Sequence, residues 1–365
     1  MSAAPATRPD PVVTPPLPPG QSGDLVALRG ILILLTGYTL YATADIVAPI
    51  LIAVFLALML APVVERLRRL GIPEGLGAAV VVVGLVAGLT WAAYGLSGPA
   101  SEWLSKAPQN VAEIEDKVRA MLRPMAGVEK ATRQVDRLTG GDGSGYKVTI
   151  RDQTWGEWLV AGTAGIAARL VITVILLYFL LAAGDLFMRR LVQAISTSGD
   201  KRRAVEIVRA VRRDVSTYLA TLATINAALG LATGLSMWAL DMPNPVLWGA
   251  LAAVLNFIPY AGPLVTLMVL AIVGLMTFDD LGRALAAPGT FFVLTNIEAY
   301  VVTPFALGGR LTLNPALVFV ALVVWSWLWG VSGAILAVPL LVTVKAVADH
   351  LDSWRGISIF LGRRD

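Results

Sequence analysis

The chain has 365 residues, of which 56% are hydrophobic and 15% are charged, with a formal net charge of +4. Ordinary soluble domains carry about 25% charged residues, so the charge deficit indicates a membrane protein. The lack of cysteine and the single histidine, His350, exclude a disulfide framework, a thiolate or multi-histidine metal site and a cysteine nucleophile. We therefore expect no enzyme, no cofactor, no metal site and no nucleic-acid partner, and we interpret the basic residues as signals of membrane orientation.

Apolar segments dominate the chain after a proline-rich start. Residues 1–24 contain seven prolines, which predicts a disordered tail. A helical membrane span needs about 20 apolar residues. We therefore predict an all-α membrane protein with about eight transmembrane segments, two of them broken or re-entrant, and a small extramembrane helical segment. The predicted segments are residues 25–42, 46–62, 75–97, 158–183, 218–240, 245–276, 284–304 and 314–348.

Basic residues predict the orientation of these segments. Three arginines follow the second segment, and eight Lys or Arg residues lie between the fourth and fifth segments. By the positive-inside rule both links are cytoplasmic, and an even number of segments puts both termini, including a tail at 351–365, on the same side. Residues 184–216 show an apolar face at helical spacing, which predicts a basic amphipathic helix at the cytoplasmic membrane surface. Its expected task is to couple the two halves of the membrane domain.

One long polar stretch, residues 98–157, contains nine basic and nine acidic residues. This balance suits the non-cytoplasmic side of the membrane. Apolar residues recur at helical spacing between positions 111 and 138 and alternate like a short strand at 146–150. We predict a small, mainly helical cap that packs on itself or on a neighbouring subunit, with a substrate-binding cap as the alternative.

Two of the later segments, 245–276 and 314–348, are too long for simple spans, and each is interrupted. The first is broken at 256–263, where Pro259, Gly262 and Pro263 interrupt the helical hydrogen bonds, and the second is broken around Gly330 and Gly333, with Pro339 further on. Irregular backbone at membrane depth is tolerated where it is buried or lines a cavity, so paired breaks indicate a transport site within 217–350. The sequence leaves open whether each segment is a kinked span or a re-entrant hairpin.

Glu298 is the carboxylate that the sequence places inside a predicted span. Such a residue marks an ion or substrate pathway by default, although it could also be a carboxyl that joins two helices. Asn296 and Tyr300, four residues apart, could extend a polar face. Asn226 and Asn256 also lie within apolar segments, where an amide serves transport or helix association about equally well.

Several runs of the sequence resemble the autoinducer-2 exporter family of bacterial membrane proteins, also called PerM-like permeases. The similarity lies in residues 47–67, in Asn-Phe-Ile-Pro-Tyr-Ala-Gly-Pro at 256–263, in the setting of Glu298, and in residues 307–315 and 329–339. The resemblance implies eight membrane segments, homo-oligomers such as pentamers, and elevator-like movement of a transport unit against a scaffold. It also implies the bacterial inner membrane and a link to either autoinducer-2 export or sodium(lithium)/proton antiport. Many members have Asn where this chain has Ala299.

These observations predict a secondary transporter that exports a small organic solute such as autoinducer-2, coupled to H+ or Na+ and surrounded by membrane lipids. The alternatives are a sodium(lithium)/proton antiporter and a non-transporting scaffold that binds a partner through the 98–157 cap. Glu298 is the predicted coupling residue. The residues expected to line the path are Asn226, Asn256, Pro259, Tyr260, Gly262, Pro263, Asn296 and Tyr300, and the expected hinges are Gly330, Gly333 and Pro339.

Overall fold

A computed structural model describes residues 21–106, 155–184, 198–307, 313–351 and 354–362. Within these ranges the chain is helical throughout, with short connections and one isolated β-bridge. Most of the predicted tail and the patterns predicted between 111 and 150 lie outside the described residues. The helices are α1 (Gln21–Ala42), α2 (Ala44–Arg69), α3 (Glu74–Lys106), α4 (Trp155–Ala183), α5 (Ser198–Ala239), α6 (Pro245–Leu255), α7 (Ala261–Thr277), α8 (Leu281–Ile297), a π-helical turn (Glu298–Val302), α9 (Thr303–Leu307), α10 (Pro315–His350) and α11 (Arg355–Leu361).

The predicted all-α membrane fold is confirmed. Five helices of the described chain are long and apolar enough to cross a membrane, and shorter apolar helices account for the other three predicted segments. The long ones are Ala44–Arg69, Glu74–Trp103, Val205–Ala239, Leu281–Leu307 and Pro315–His350. The shorter ones are Ala27–Ala42, Ala167–Ala183 and the pair Pro245–Leu255 and Ala261–Thr277.

Two boundaries differ from the sequence prediction. Helix α5 runs without interruption through position 216, where we expected the surface helix to end and a span to begin. The reason is local, since no proline or glycine occurs between Ala204 and Leu229 to stop helix propagation. Helix α3 likewise continues past position 97 to Lys106 and includes Pro99.

The described residues fall into two compact units, one that ends at Val47 and one that begins at Ala48. In the first unit, α1 is followed by a turn at Thr43, whose hydroxyl donates a hydrogen bond to the Thr39 carbonyl (2.7 Å). In the second unit, α2, α3 and α4 share an apolar cluster that buries Ala53, Val82 and Leu177. The hydroxyl of Ser216 on α5 donates to the Leu58 carbonyl of α2 (2.5 Å), which joins this three-helix group to the rest of the second unit.

Glycines allow close antiparallel packing of α5 with α6 and of α7 with α8. A Cβ atom placed on Gly249 would lie 2.6 Å from the Gly230 carbonyl oxygen, and one on Gly274 would lie 2.3 Å from the Ala284 carbonyl oxygen. Backbones this close leave no room for a side chain at either glycine. The contacts fix the register of both helix pairs.

The first broken segment is a helical hairpin. A Cβ on Gly262 in α7 would lie 1.8 Å from the carbonyl oxygen of Leu255 in α6, although seven residues of straight helix would separate them by about 10 Å. The two arms also share one buried cluster, in which Trp248 of α6 and Leu270 and Val273 of α7 lie with Met237, Met242 and Phe291 from outside the hairpin. Residues 245–277, the first hairpin, therefore enter and leave at the same end.

The second broken segment, α10, is also a hairpin, because the backbone reverses at Gly330 (φ 60, ψ −136). A Cβ on Gly333 would lie 1.8 Å from the Trp325 carbonyl oxygen, against about 12 Å in a straight helix. The end of helix α11 lies close to both ends of this second hairpin. The Asn314 amide, just before α10, donates to the Leu361 carbonyl (3.1 Å), and Lys345 Nζ, near the end of α10, lies 3.9 Å from a Cβ built on Gly362. The choice between kinked span and hairpin is thus resolved in favour of hairpins.

Candidate transport site

The tip of the first hairpin is a tight γ-turn centred on Tyr260. Its backbone has φ 61 and ψ −54, and the amide of Ala261 donates to the Pro259 carbonyl (2.6 Å). This conformation is strained for any residue with a side chain, and such strain concentrates at functional sites. Pro263 lies in the first turn of α7, where its missing amide proton leaves no hydrogen bond unmade.

The structure brings together two of the predicted residues, Asn226 of α5 and Asn256 at the end of α6. The Asn256 side-chain amide donates to the Asn226 side-chain oxygen over 2.8 Å. Asn226 is only 1% exposed, and its own amide nitrogen has no hydrogen-bond partner within the described residues. A buried donor without an acceptor is costly, so an oxygen atom of a solute or water that reached this enclosed amide would gain a favourable hydrogen bond.

Glu298 begins the π-helical turn that follows α8. The hydroxyl of Thr303 donates to Oε1 of Glu298, and the amide of Thr303 donates to the Glu298 carbonyl. Pro304 lacks the amide that would bond to the Tyr300 carbonyl in an α-helix, which favours the wider turn at this point. Turns of this kind occur frequently at functional sites. Sequence reasoning missed Thr303, although Pro304 was a signal for an irregular helix.

The helix registers place Glu298 at the depth of the hairpin tip. Gly274 of α7 lies against Ala284 of α8, and continuing that antiparallel pairing puts Glu298 level with Tyr260. On the other side, the register of α5 and α6 puts Asn226 level with Asn256, as their hydrogen bond confirms. Helix α5 also packs against α8, the π-helical turn and α9. The two amides, the strained turn and the carboxylate therefore share one level in the helix bundle.

The second hairpin contacts the tip of the first. The rings of Tyr260 and Phe319 meet edge to face with centroids 6.3 Å apart. Ile258 packs against Leu322 and Ala337, which lie on the two arms of the second hairpin. The two breaks that the sequence indicated separately are thus adjacent in space.

The other predicted residues are more dispersed. Asn296 donates to the Phe292 carbonyl of its own helix (2.7 Å), and the Tyr300 side chain is 78% exposed. Pro339 is buried within the second arm of α10, where its carbonyl accepts from the Thr343 hydroxyl (2.7 Å). Gly330 forms the chain reversal, whereas Gly333 is a point of close backbone packing.

Glu298 is electrostatically isolated. It is the only charged residue in α6, α7, positions 284–307 and positions 315–344. Because these described segments offer no Lys or Arg to compensate the charge, a carboxylate here calls for a proton, a bound cation or water. Among the described residues no group of three or more acidic or histidine side chains could hold a metal ion.

A pocket of about 410 Å³ lies elsewhere in the second unit. It is lined by apolar residues of α2 and the end of α4, and by charged residues that include Glu65, Arg68, Glu74 and Arg212. Glu65 pairs with Arg68 (2.8 Å) and Arg69 (3.3 Å), and Arg68 also approaches Glu74 (3.5 Å). The pocket does not include the hairpin tips or Glu298, so its size gives no measure of the candidate transport site.

Two helical hairpins that contact each other, and a carboxylate at the depth of the first hairpin tip, in a bundle of membrane-length helices, are features of membrane transport proteins. The model of the AI-2E family transporters matches residues 31–353, so the chain belongs to that family. Three relatives align over most of their length. YrrI of Bacillus subtilis is 25% identical over 83% of this chain and 85% of its own, and YhhT of Escherichia coli is 25% identical over 93% of both chains. Both are named provisionally as transport proteins.

The third relative, the AI-2 transport protein TqsA of Escherichia coli, is 24% identical over 92% of this chain and 95% of its own. The predicted family membership is therefore confirmed. The chain is a multi-pass bacterial membrane protein of a transporter family, for which a small solute is the expected cargo.

Proposed function

We propose that this protein is a secondary transporter of the bacterial inner membrane that exports a small organic solute such as autoinducer-2, driven by an H+ or Na+ gradient. The transport site comprises the tip of the first hairpin, the Asn226–Asn256 pair and Glu298. The observation that carries the proposal is the Asn226–Asn256 pair beside a hairpin tip that contacts the second hairpin, with Glu298 at that depth by the helix registers. Glu298 binds the coupling ion, and the amides and Tyr260 contact the solute.

The chemistry of the site suits a small polar solute. Asn226 offers an amide donor that has no acceptor among the described residues, and Asn256 offers an amide at the hairpin tip. The half-exposed Tyr260 ring and the neighbouring Phe319 add an apolar surface for the carbon skeleton. Autoinducer-2 is the proposed example of such a solute because the relative TqsA is named an AI-2 transport protein.

The orientation assigns the hairpins to opposite membrane faces. With the basic start of α5 in the cytoplasm, the open end of the first hairpin, near Asp241 and Asp279, faces outward. Helices α8 and α9 return the chain to the cytoplasmic side, so the second hairpin enters the membrane from there. Both chain termini lie on the same side. Hairpins inserted from both sides can open in turn, which is the requirement of alternating access.

The helix packing supports an elevator-like division of labour. We assign the scaffold to α2, α3 and α4, which share their own apolar cluster, and the moving unit to α5 through α10. Close backbone contacts at Gly249 and Gly274 join α5 to α6 and α7 to α8 within that unit. A homo-oligomer, with the 98–157 segment as its cap, would hold the scaffolds together.

The second candidate, a sodium(lithium)/proton antiporter, is favoured by one feature, the isolated Glu298. A titrating carboxylate and a small ion site suffice for antiport. If the protein is instead a scaffold that binds a partner through the 98–157 segment, it should fold normally and move no solute.

The test is flux in proteoliposomes with imposed proton and sodium gradients and an internal pH reporter. The proposal predicts that autoinducer-2 accumulates only when a gradient is present. If a sodium gradient drives proton movement in the absence of solute, the protein is an antiporter and not an exporter. No movement of solute or ions by folded protein would overturn both in favour of the scaffold.

A further inference from the structure

The π-helical turn joins Glu298 to a residue five positions later. Residues five apart in an α-helix point about 140° away from one another, so their side chains do not meet. The wider turn, with its bond from the Thr303 amide to the Glu298 carbonyl, brings Thr303 round to the same side. There its hydroxyl reaches Oε1 of Glu298. Two hydrogen bonds thus connect the same pair of residues.

We propose that Thr303 is the positioning residue for Glu298, and that the π-helical turn exists to present its hydroxyl to the carboxyl group. This inference rests on the proposed function of Glu298 as the coupling residue. A hydroxyl both donates and accepts hydrogen bonds, so Thr303 can donate to a carboxylate and accept from a carboxylic acid. One side chain therefore orients Glu298 in both states of a proton cycle, and an aliphatic side chain at 303 cannot.

Among the described residues, the structure shows no charged group near Glu298 that could take the place of Thr303. Helix α5 packs against the π-helical turn, and from Ser216 to Ala239 its only titratable residue is Tyr218, which is 8% exposed. On the turn itself Tyr300 is 78% exposed, and at the hairpin tip Tyr260 is 51% exposed. No Lys, Arg, Asp or second Glu occurs in α7, α9 or positions 284–297. Among the described residues, Thr303 is the hydrogen-bond partner of the carboxyl group.

The test compares Thr303→Val, which keeps the branched shape and removes the hydroxyl, with Thr303→Ser, which keeps the hydroxyl. The first readout is the infrared C=O stretching band of the protonated Glu298 carboxyl, assigned by its loss in Glu298→Gln. We expect wild type and Thr303→Ser to share the band position and Thr303→Val to shift it to higher frequency. Gradient-coupled flux should fall roughly tenfold or more in Thr303→Val, the loss expected for a hydrogen bond to a charged group, and recover in Thr303→Ser.

Thr224→Val is the matched control, because Thr224 is exposed on α5 and its hydroxyl donates to the Ala220 carbonyl of its own helix (2.8 Å). It should change neither readout. Thr303→Ala serves as a second hydroxyl-free variant if the valine packs poorly. An unshifted band with unchanged coupling in folded Thr303→Val or Thr303→Ala overturns the inference. If Glu298→Gln instead keeps coupled flux, the proposed function fails, and the band positions still decide whether Thr303 holds the carboxyl.

Discussion

Glu298→Gln is expected to abolish gradient-driven transport and leave the protein folded. Glutamine has nearly the same shape as glutamate, and its side-chain oxygen can still accept the Thr303 hydrogen bond. The amide cannot bind and release a proton, so the coupling step is lost. Because a charged side chain at the centre of a membrane helix costs about 2.5 to 3.5 kcal/mol, the uncharged variant should be at least as stable as wild type. Flux in proteoliposomes and thermal unfolding in detergent measure the two effects.

Glu206→Gln provides the control for charge removal. Glu206 is exposed on the basic first part of α5, far along the chain from the hairpins. This variant should keep wild-type flux and stability. Undiminished coupled flux in folded Glu298→Gln would remove the carboxylate from the mechanism.

Gly262→Ala and Gly333→Ala are expected to give the largest losses of stability. In each hairpin the added Cβ would lie 1.8 Å from a carbonyl oxygen, that of Leu255 or that of Trp325. A backbone atom cannot turn aside as a flexible side chain does, so the arms of the hairpin must separate. Overpacking of this kind costs about 3 kcal/mol, and we expect transport to be lost as well. Equilibrium unfolding in mixed detergent micelles measures the change.

Gly289→Ala is the matched control, because Gly289 also lies in a helix of this unit and a Cβ there meets nothing within 4 Å. It should be neutral or stabilise the protein by up to about 1 kcal/mol, since alanine favours helix over glycine. Equal stability of all three alanine variants would contradict the hairpin geometry.

The sequence predicted where the chain is irregular, because prolines and glycines interrupt helices for local steric reasons. Asn226, Asn256 and Glu298 could be singled out individually, since polar groups in apolar segments are expensive. Their arrangement could not be predicted. The Asn226–Asn256 bond spans 30 positions and depends on the close contact of Gly230 with Gly249, which no local pattern encodes.

Other features depend on backbone angles that the sequence leaves open. A proline-glycine cluster is compatible with a kink or a full reversal, and the positive φ values at Tyr260 and Gly330 decide for reversal. The bond from Thr303 to Glu298 requires a π-helical turn, which a 3.6-residue period does not predict. The continuity of α5 was missed because a change from polar to apolar residues does not by itself end a helix.

The most direct test of the central claim, that solute passes the tip of the first hairpin, uses a cysteine at Ala261. The chain has no native cysteine, and Ala261 is exposed at the start of α7. Only a thiol in contact with water forms the reactive thiolate. Ala261→Cys should react with a membrane-impermeant thiol reagent, and autoinducer-2 should slow the reaction. Val293→Cys, about one helical turn from that depth on α8, should not react. If Ala261→Cys is inert from both sides of the membrane, or reacts at a rate that solute and ion gradients leave unchanged, the site assignment is wrong.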